Sequence, residues 1–155
     1  MKRSGLLIFL GIIVILGFWG CNTYNSLLGV DQNVKKVWGN VETNYQRRTD
    51  LYSSVIKTIE GSANFEKSTL KEVLEARAKA TSITVDVNDS TSLAAYQRAQ
   101  ANLQGSFSRL MAVAEAYPDL KSTKAFQDFQ TQSEGTENRI NVSRQDYNAA
   151  VESYN

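Results

Sequence analysis

The chain opens with a block that is apolar on every face and then changes to a helical stripe. No charged residue lies between Arg3 and Asp31, and Gly5 to Cys21 (GLLIFLGIIVILGFWGC) is almost wholly apolar. A globular helix shows a stripe, whereas a helix apolar all round belongs in lipid or deep inside a large protein. The run sits at the short end of what crosses a bilayer core, roughly 17–25 residues at about 1.5 Å each. Uncharged Asn22-Thr23-Tyr24-Asn25-Ser26 can lengthen the insertion, and Trp19 and Tyr24 stand at its distal edge, where amphipathic rings favour the headgroup region. The predicted anchor residues are Leu6, Leu7, Ile8, Phe9, Leu10, Ile12, Ile13, Val14, Ile15, Leu16, Phe18 and Trp19.

Beyond this block, apolar residues recur in alternating steps of three and four, the signature of one helix face. Leu27, Val30, Val34, Val37, Val41, Leu51 or Tyr52, Val55 and Ile59 form the first series. It predicts a helix from about residue 6 to 60, roughly 80 Å long, closed by Gly61-Ser62-Ala63-Asn64 with Gly61 as the C-terminal stop. A second helix is expected over Phe65–Ser82, with Leu70, Val73, Leu74, Arg77 and Ala78 to Ile83 on a weaker, Ala-rich stripe. Thr84 to Thr91 reads as a loop, since its Asp, Asn, Ser and Thr side chains compete with the helix backbone. A third helix runs from about Ser92 to Tyr117 through Leu93, Tyr96, Ala99, Leu103, Phe107, Leu110 and Val113 or Ala114, and Pro118 ends it. The fourth starts near Ser122-Thr123 and carries Phe126, Phe129, Ser133, Thr136, Ile140, Tyr147, Val151 and Tyr154. Such a heptad-like seam implies antiparallel packing at about +20°. The fold class is therefore all-α, an N-terminal transmembrane helix continuing into an elongated antiparallel four-helix bundle. Residues 1–4 form a short cytoplasmic terminus, 5–23 the anchor and 24–155 the bundle.

Composition narrows the chemistry. The 155 residues include 17 Lys+Arg and 16 Asp+Glu, no His, one Cys, one Pro and 9 Gly. Balanced charge removes the basic surplus that nucleic-acid binding needs. Without His, and with a single Cys, the usual zinc, haem and triad chemistries lose their side chains, so no enzyme, metal or cofactor is expected. Asp86, Asn88 and Asp89 evoke calcium, but the Gly and Glu of an EF-hand loop are absent and a solvated turn is the better reading.

The anchor admits two readings. Lys2-Arg3, an apolar run and then Gly20-Cys21 follow the order of a bacterial lipoprotein signal, with Cys21 as the lipid-carrying residue. Phe18 and bulky Trp19 stand where Leu and a small residue are usual, so an uncleaved helix is preferred and Cys21 is then an unmodified thiol. Lys2, Arg3 and the α-amino group favour a cytoplasmic N-terminus, placing the bundle outside the cytoplasm on a single-pass cell-membrane protein.

Several blocks in order resemble the LemA family: Tyr24-Asn25-Ser26-Leu27, Val34 to Trp38 (VKKVW), Val41-Glu42, Gln46 to Leu51 (QRRTDL), Leu74 to Ala78 (LEARA), Ala112 to Leu120 (AVAEAYPDL), Thr136 to Ile140 (TENRI), and Tyr147 to Val151 with Tyr154-Asn155. The resemblance covers essentially the whole bundle. It implies a bacterial membrane-anchored protein with one N-terminal transmembrane helix and no established enzymatic activity, and a magnetosome-forming relative points to work at membranes. Members commonly carry a tail after the closing Tyr-Asn, which implies a shortened chain here and leaves the last helix without an obvious C-cap.

The motif polar residues Arg47, Arg48, Asp50, Glu75, Arg77, Glu137, Asn138 and Arg139 cannot all face solvent if they lie along the seam. Arg48 falls seven residues after Val41 and seven before Val55, on the apolar face. A charge there needs a partner. The expectation is an inter-helix layer of Arg48 with Glu137 or Glu75, joined by Asn138, that fixes helix register; the alternative use of these residues is a polar binding groove. The leading functional expectation is a membrane-tethered scaffold that contacts other membrane proteins or copies of itself. A self-assembling membrane-coating or membrane-remodelling protein is the second.

The two anchor readings are separated by metabolic palmitate labelling. Wild type should take up no label; label that is present in wild type and lost in Cys21→Ala would establish the lipoprotein instead.

Overall fold

In the computed structural model the described residues are 2–62 and 65–154, with 2–8 as backbone only. Five helices follow in order: α1 (Lys2–Glu60), α2 (Lys67–Ser82), α3 (Ser90–Ala114), α4 (Pro118–Lys121) and α5 (Lys124–Tyr154). There is no strand among the described residues. The four long helices are the expected bundle and α4 is a single added turn.

Helix α1 is continuous over 59 residues, about 88 Å at 1.5 Å per residue. From Phe9 to Gly29 every residue is exposed. The apolar stretch there is long enough to cross a membrane, and none of it is buried against the rest of the protein. Of the predicted anchor side chains, Phe9, Leu10, Ile12, Ile13, Val14, Ile15, Leu16, Phe18 and Trp19 are exposed; Leu6, Leu7 and Ile8 lie outside the described side chains, as does Met1 of the short N-terminal segment. Packing begins with half-buried Val34 and Val37. From Trp38 the seam is Trp38, Val41, Tyr45, Arg48, Tyr52, Val55 and Ile59, all buried and spaced by three and four throughout.

The helices alternate in direction. Trp38 meets Tyr147, Arg48 meets Glu137 and Tyr52 meets Phe129, so α1 and α5 are antiparallel. Tyr45 meets Tyr96 and Tyr52 meets Phe107, so α3 runs parallel to α1. Arg109 pairs with Glu72, joining α2 to α3. The core divides into two parts. One gathers Tyr52, Val55, Ile59, Val73, Leu103, Phe107, Leu110 and Phe126 at the end remote from the apolar run. The other gathers Trp38, Val41, Tyr45, Tyr96, Ile140 and Tyr147 at the near end. Aromatic rings dominate both: Tyr52 stacks on Phe107 with centroids 3.7 Å apart, and the Trp38 ring lies edge-on to Tyr96 and Tyr147 at 5.9 and 5.1 Å. Burial of each such ring removes roughly 150–250 Å² from water, the main source of stability in a thin bundle.

Several ends differ from the sequence expectation, each for a local reason. Gly61 does end α1, but no described glycine has positive φ. Gly61 N–H instead donates to Lys57 O and Ser62 N–H to Ile59 O at 2.9 Å, a tightened last turn that satisfies the terminal carbonyls without a left-handed residue. Helix α2 starts at Lys67 rather than Phe65, leaving Phe65 free to turn inward and pack on Tyr117. Helix α3 starts two residues early, because Asp89 caps it: its carboxylate accepts from Thr91 N–H at 2.9 Å and Ser92 N–H at 3.1 Å. Those bonds hold the Asp89 carboxyl below its usual range. The residue before Pro118 is extended (Tyr117, φ −115°, ψ 91°), so α3 stops at Ala114 and Pro118, at the first position of α4, starts a new turn instead of merely ending the old one.

Candidate functional site

One charged layer lies between the two halves of the core. Arg48, on the α1 seam, is 2% exposed. Its Nη2 donates to the Gln100 backbone oxygen at 3.0 Å and to the Gln100 side-chain oxygen at 2.7 Å. Its Nη1 faces Glu137 Oε1 at 3.5 Å, a looser contact with a carboxylate that is about one-third exposed. Gln104 donates to the other oxygen of Glu137 at 3.5 Å. Above and below, the guanidinium is bracketed by aromatic neighbours one turn away on its own helix, its carbon 4.9 Å from the Tyr45 centroid and 5.9 Å from that of Tyr52. Arg48 Nε is buried with no hydrogen-bond partner. Thus the strongest bonds to the buried cation come from a neutral amide, and its formal counter-charge stands at the solvent edge.

The other predicted polar residues are not in this layer. Arg47 and Asp50 are exposed on the side of α1 that faces α2, and Asp50 accepts from Gln46 at 3.0 Å. Glu75 is exposed and pairs with Lys71 at 3.8 Å on its own helix, so it is not the partner of Arg48. Arg77 is half-buried on α2, with its Nε unpartnered. Asn138 and Arg139 are exposed on α5, away from Arg48, so the internal bonding expected of Asn138 is absent. The reason is angular: residues 137, 138 and 139 are about 100° apart around a helix, so Glu137 reaches Arg48 while Asn138 and Arg139 border Asn40, Thr43 and Asn44 of α1. Cys21 is exposed on the apolar half of α1.

Gln100 and the buried residues Thr49, Ser106 and Ser143 were absent from the apolar pattern, which did include Thr136. Thr49, Ser106, Thr136 and Ser143 are buried, and each hydroxyl donates to a carbonyl of its own helix, to Tyr45, Leu103, Gln132 and Ile140 respectively, at 2.9–3.1 Å. With those groups satisfied internally, the Arg48 layer carries the buried polar contact between helices. A helix-face reading that admitted Gln at a position four residues from Tyr96 would have found Gln100.

The Tyr52 hydroxyl feels both environments. Burial pushes its pKa up to about 12, opposed by the positive charge of Arg48 and aided by Glu137. Burial also raises Tyr96 and Tyr147. Proton-transfer chemistry at neutral pH gains nothing from phenols held this firmly protonated.

A model of the LemA family matches residues 37–155, from the start of the packed seam to the last residue. Protein LemA of Metamycoplasma hominis is 25% identical over 150 residues, which cover 97% of this chain and 66% of that protein. Magnetosome proteins MamQ 1 and MamQ 2 of Paramagnetospirillum magneticum are each 26% identical over 151 residues, covering 85% of this chain and 56% of theirs. The chain therefore spans between about half and two-thirds of the length of these relatives.

Two measurements test the layer. Arg48→Ala removes charged hydrogen bonds and opens a cavity, and should lower unfolding stability by about 2–4 kcal/mol in urea titrations; Arg48→Met, which refills the space, should recover at least half of this. A loss within about 0.5 kcal/mol for Arg48→Ala, the level of an ordinary surface change, would show that the layer stabilises nothing. Separately, Tyr52 keeps its proton to about pH 12 in the fold and to about pH 10 in an unfolded chain. The stability this confers is present below about pH 10 and declines as pH rises to about 12, by at most about 2–3 kcal/mol. Urea midpoints across that range should fall less steeply in Tyr52→Phe, and parallel curves would exclude Tyr52 as the cause.

Proposed function

We propose, starting from the fact that this chain belongs to the LemA family, that it is a membrane-anchored, non-enzymatic interaction protein whose bundle is held at a membrane by α1. The observation that carries the reading is the continuity of α1: one unbroken helix contains both an unpacked apolar run and the seam of the bundle. Exposed Phe9 to Leu28 would be an aggregating surface in water, and lipid is the environment that removes it. Lys2 and Arg3 on one side, against Asp31, Lys35 and Lys36 on the other, favour a cytoplasmic N-terminus and a bundle outside the cytoplasm of a bacterial cell. No arrangement in the Arg48 layer supplies a nucleophile with an adjacent base, which supports a role in contact rather than catalysis.

A second reading takes the bundle as a self-assembling coat on membranes. The names of the MamQ relatives, magnetosome proteins, favour it, while the near-neutral charge of the chain gives no strong attraction to anionic lipid.

Photo-crosslinking of the full chain in native membranes, followed by mass spectrometry, tests both. A recurrent second membrane protein joined to the bundle is the expected result. Self-crosslinks alone would favour the coat. Recovery of the chain in the soluble fraction after alkaline extraction, with no crosslinked partner of either kind, would sink the anchored readings together.

A further inference from the structure

We infer that the cleft beside Arg48 is a binding site for a small organic carboxylate, a property beyond the anchoring role above. A cavity of about 280 Å³ opens between α1, α3 and α5 next to the charged layer, near the lower end of the range for small-molecule pockets, roughly 300–1,000 Å³. Its charged walls are Arg48, Arg144 and Glu137, and amides from Gln97, Gln104 and Asn141 complete it. The balance is one positive charge in excess. An amide-rich wall offers both donors and acceptors, which suits a carboxylic acid that also carries a polar substituent or a second carboxylate.

Three features point to an anion. Arg48 is buried, and burial of a cation is unfavourable unless its donors are filled, yet its Nε has no partner. Its resident counter-charge is seated at 3.5 Å, longer than the roughly 2.7–2.9 Å of a well-made charged hydrogen bond. Arg144, one turn beyond Ile140 on α5, makes no ion pair among the described residues, although it lines the same cleft. A carboxylate entering between the two guanidiniums meets Arg144 directly and takes over from Glu137, whose side chain is already at the solvent edge and can swing outward. Lipid headgroups are excluded by position: Arg48 stands eighteen residues past Val30, the last uncharged residue of the first block, and so about 27 Å along α1. The ligand is therefore a soluble acid.

The role given to Glu137 is unusual and testable, because it makes the resident carboxylate a competitor of the ligand. Isothermal titration calorimetry of the full chain in lipid nanodiscs would use sodium succinate, with sodium sulfate at matched ionic strength as the second probe. Succinate should bind to wild type in preference to sulfate. Glu137→Gln, which keeps the shape and the Gln104 contact, should bind it roughly tenfold more tightly, and Arg144→Gln roughly tenfold more weakly, the effect of gaining or losing one charged contact. Among the described residues Arg144 has no ion pair to lose, and circular dichroism melting of each variant confirms that the bundle is intact. Absence of succinate binding in wild type and in Glu137→Gln overturns the site, as does sulfate matching succinate or an affinity that either substitution leaves unchanged. Neither result bears on anchoring, which is read from membrane extraction.

Discussion

A buried guanidinium between two greasy half-cores is the constraint that the bundle is built around. Arg48 is at the same depth as Val41 and Val55, one heptad away on either side, and a cation there is unfavourable by several kcal/mol unless its donors are met. The arrangement of the three facing helices meets those of Nη1 and Nη2, though not that of Nε. Gln100 must stand opposite with both its backbone and side-chain oxygens free to accept, and α5 must present Glu137 rather than Asn138 or Arg139. A one-residue rotation of α5 would replace Glu137 by Thr136 or Asn138, and one of α3 would replace Gln100 by Ala99 or Ala101, so the charge would lose its carboxylate or its amide. Apolar contacts alone discriminate poorly between such registers, since one ring packs on another almost as well as on a third. The polar layer gives the bundle its register, and the aromatic clusters on each side give it most of its stability.

The layer also explains the aromatic bias near it. Tyr45 and Tyr52 lie one turn before and one turn after Arg48, offering ring faces to the guanidinium. The contact is electrostatic, so the same rings serve as core on their outer faces and as partial counter-charge on the inner ones. Tyr52 cannot fill this role ionised without reorganising the layer, and burial holds it protonated well past physiological pH. Small side chains on the opposite helix complete the accommodation: Thr136 sits at the seam position level with Arg48, where a Leu or Phe would compete for the space.

Much of this was legible in the sequence. The spacing of Arg48 between Val41 and Val55 placed it on the buried face, and its motif neighbours included Glu137. Trp38 and Tyr45 were harder to place, because the apolar series reaches Val41 through Val34 and Val37 and leaves out these two rings, which fill the core where the valines stay half-buried. Gln100 was hidden for a different reason, since an amide scores as a surface residue and declares itself only when a buried donor needs it. Helix ends were legible only approximately, being settled by single hydrogen bonds such as those of Asp89. Of the eight motif residues, two come together across helices, because periodicity assigns a face while the pairing partner depends on the rotation of a second helix.

The unbroken passage of α1 out of the bundle bears on what the first half of that helix requires. From Asn22 to Gly29 every residue is exposed and receives no tertiary support, and the first ion pair along the helix, among the described residues, is Asp31 with Lys35 at 2.7 Å. An exposed pair of this kind contributes a few tenths of a kcal/mol, and Gly29 opposes it by roughly 1 kcal/mol relative to Ala. In water such a segment would fray, since helices without packing are marginal. In a bilayer the same backbone has no other way to satisfy its N–H and C=O groups, and the helix becomes obligatory. Continuity of α1 is therefore most easily sustained if lipid reaches close to Asp31. Under the anchored reading proposed above, the charge-free run, and not the shorter apolar core within it, would set where the membrane ends, and the bundle would start almost at its surface instead of at the tip of a stalk.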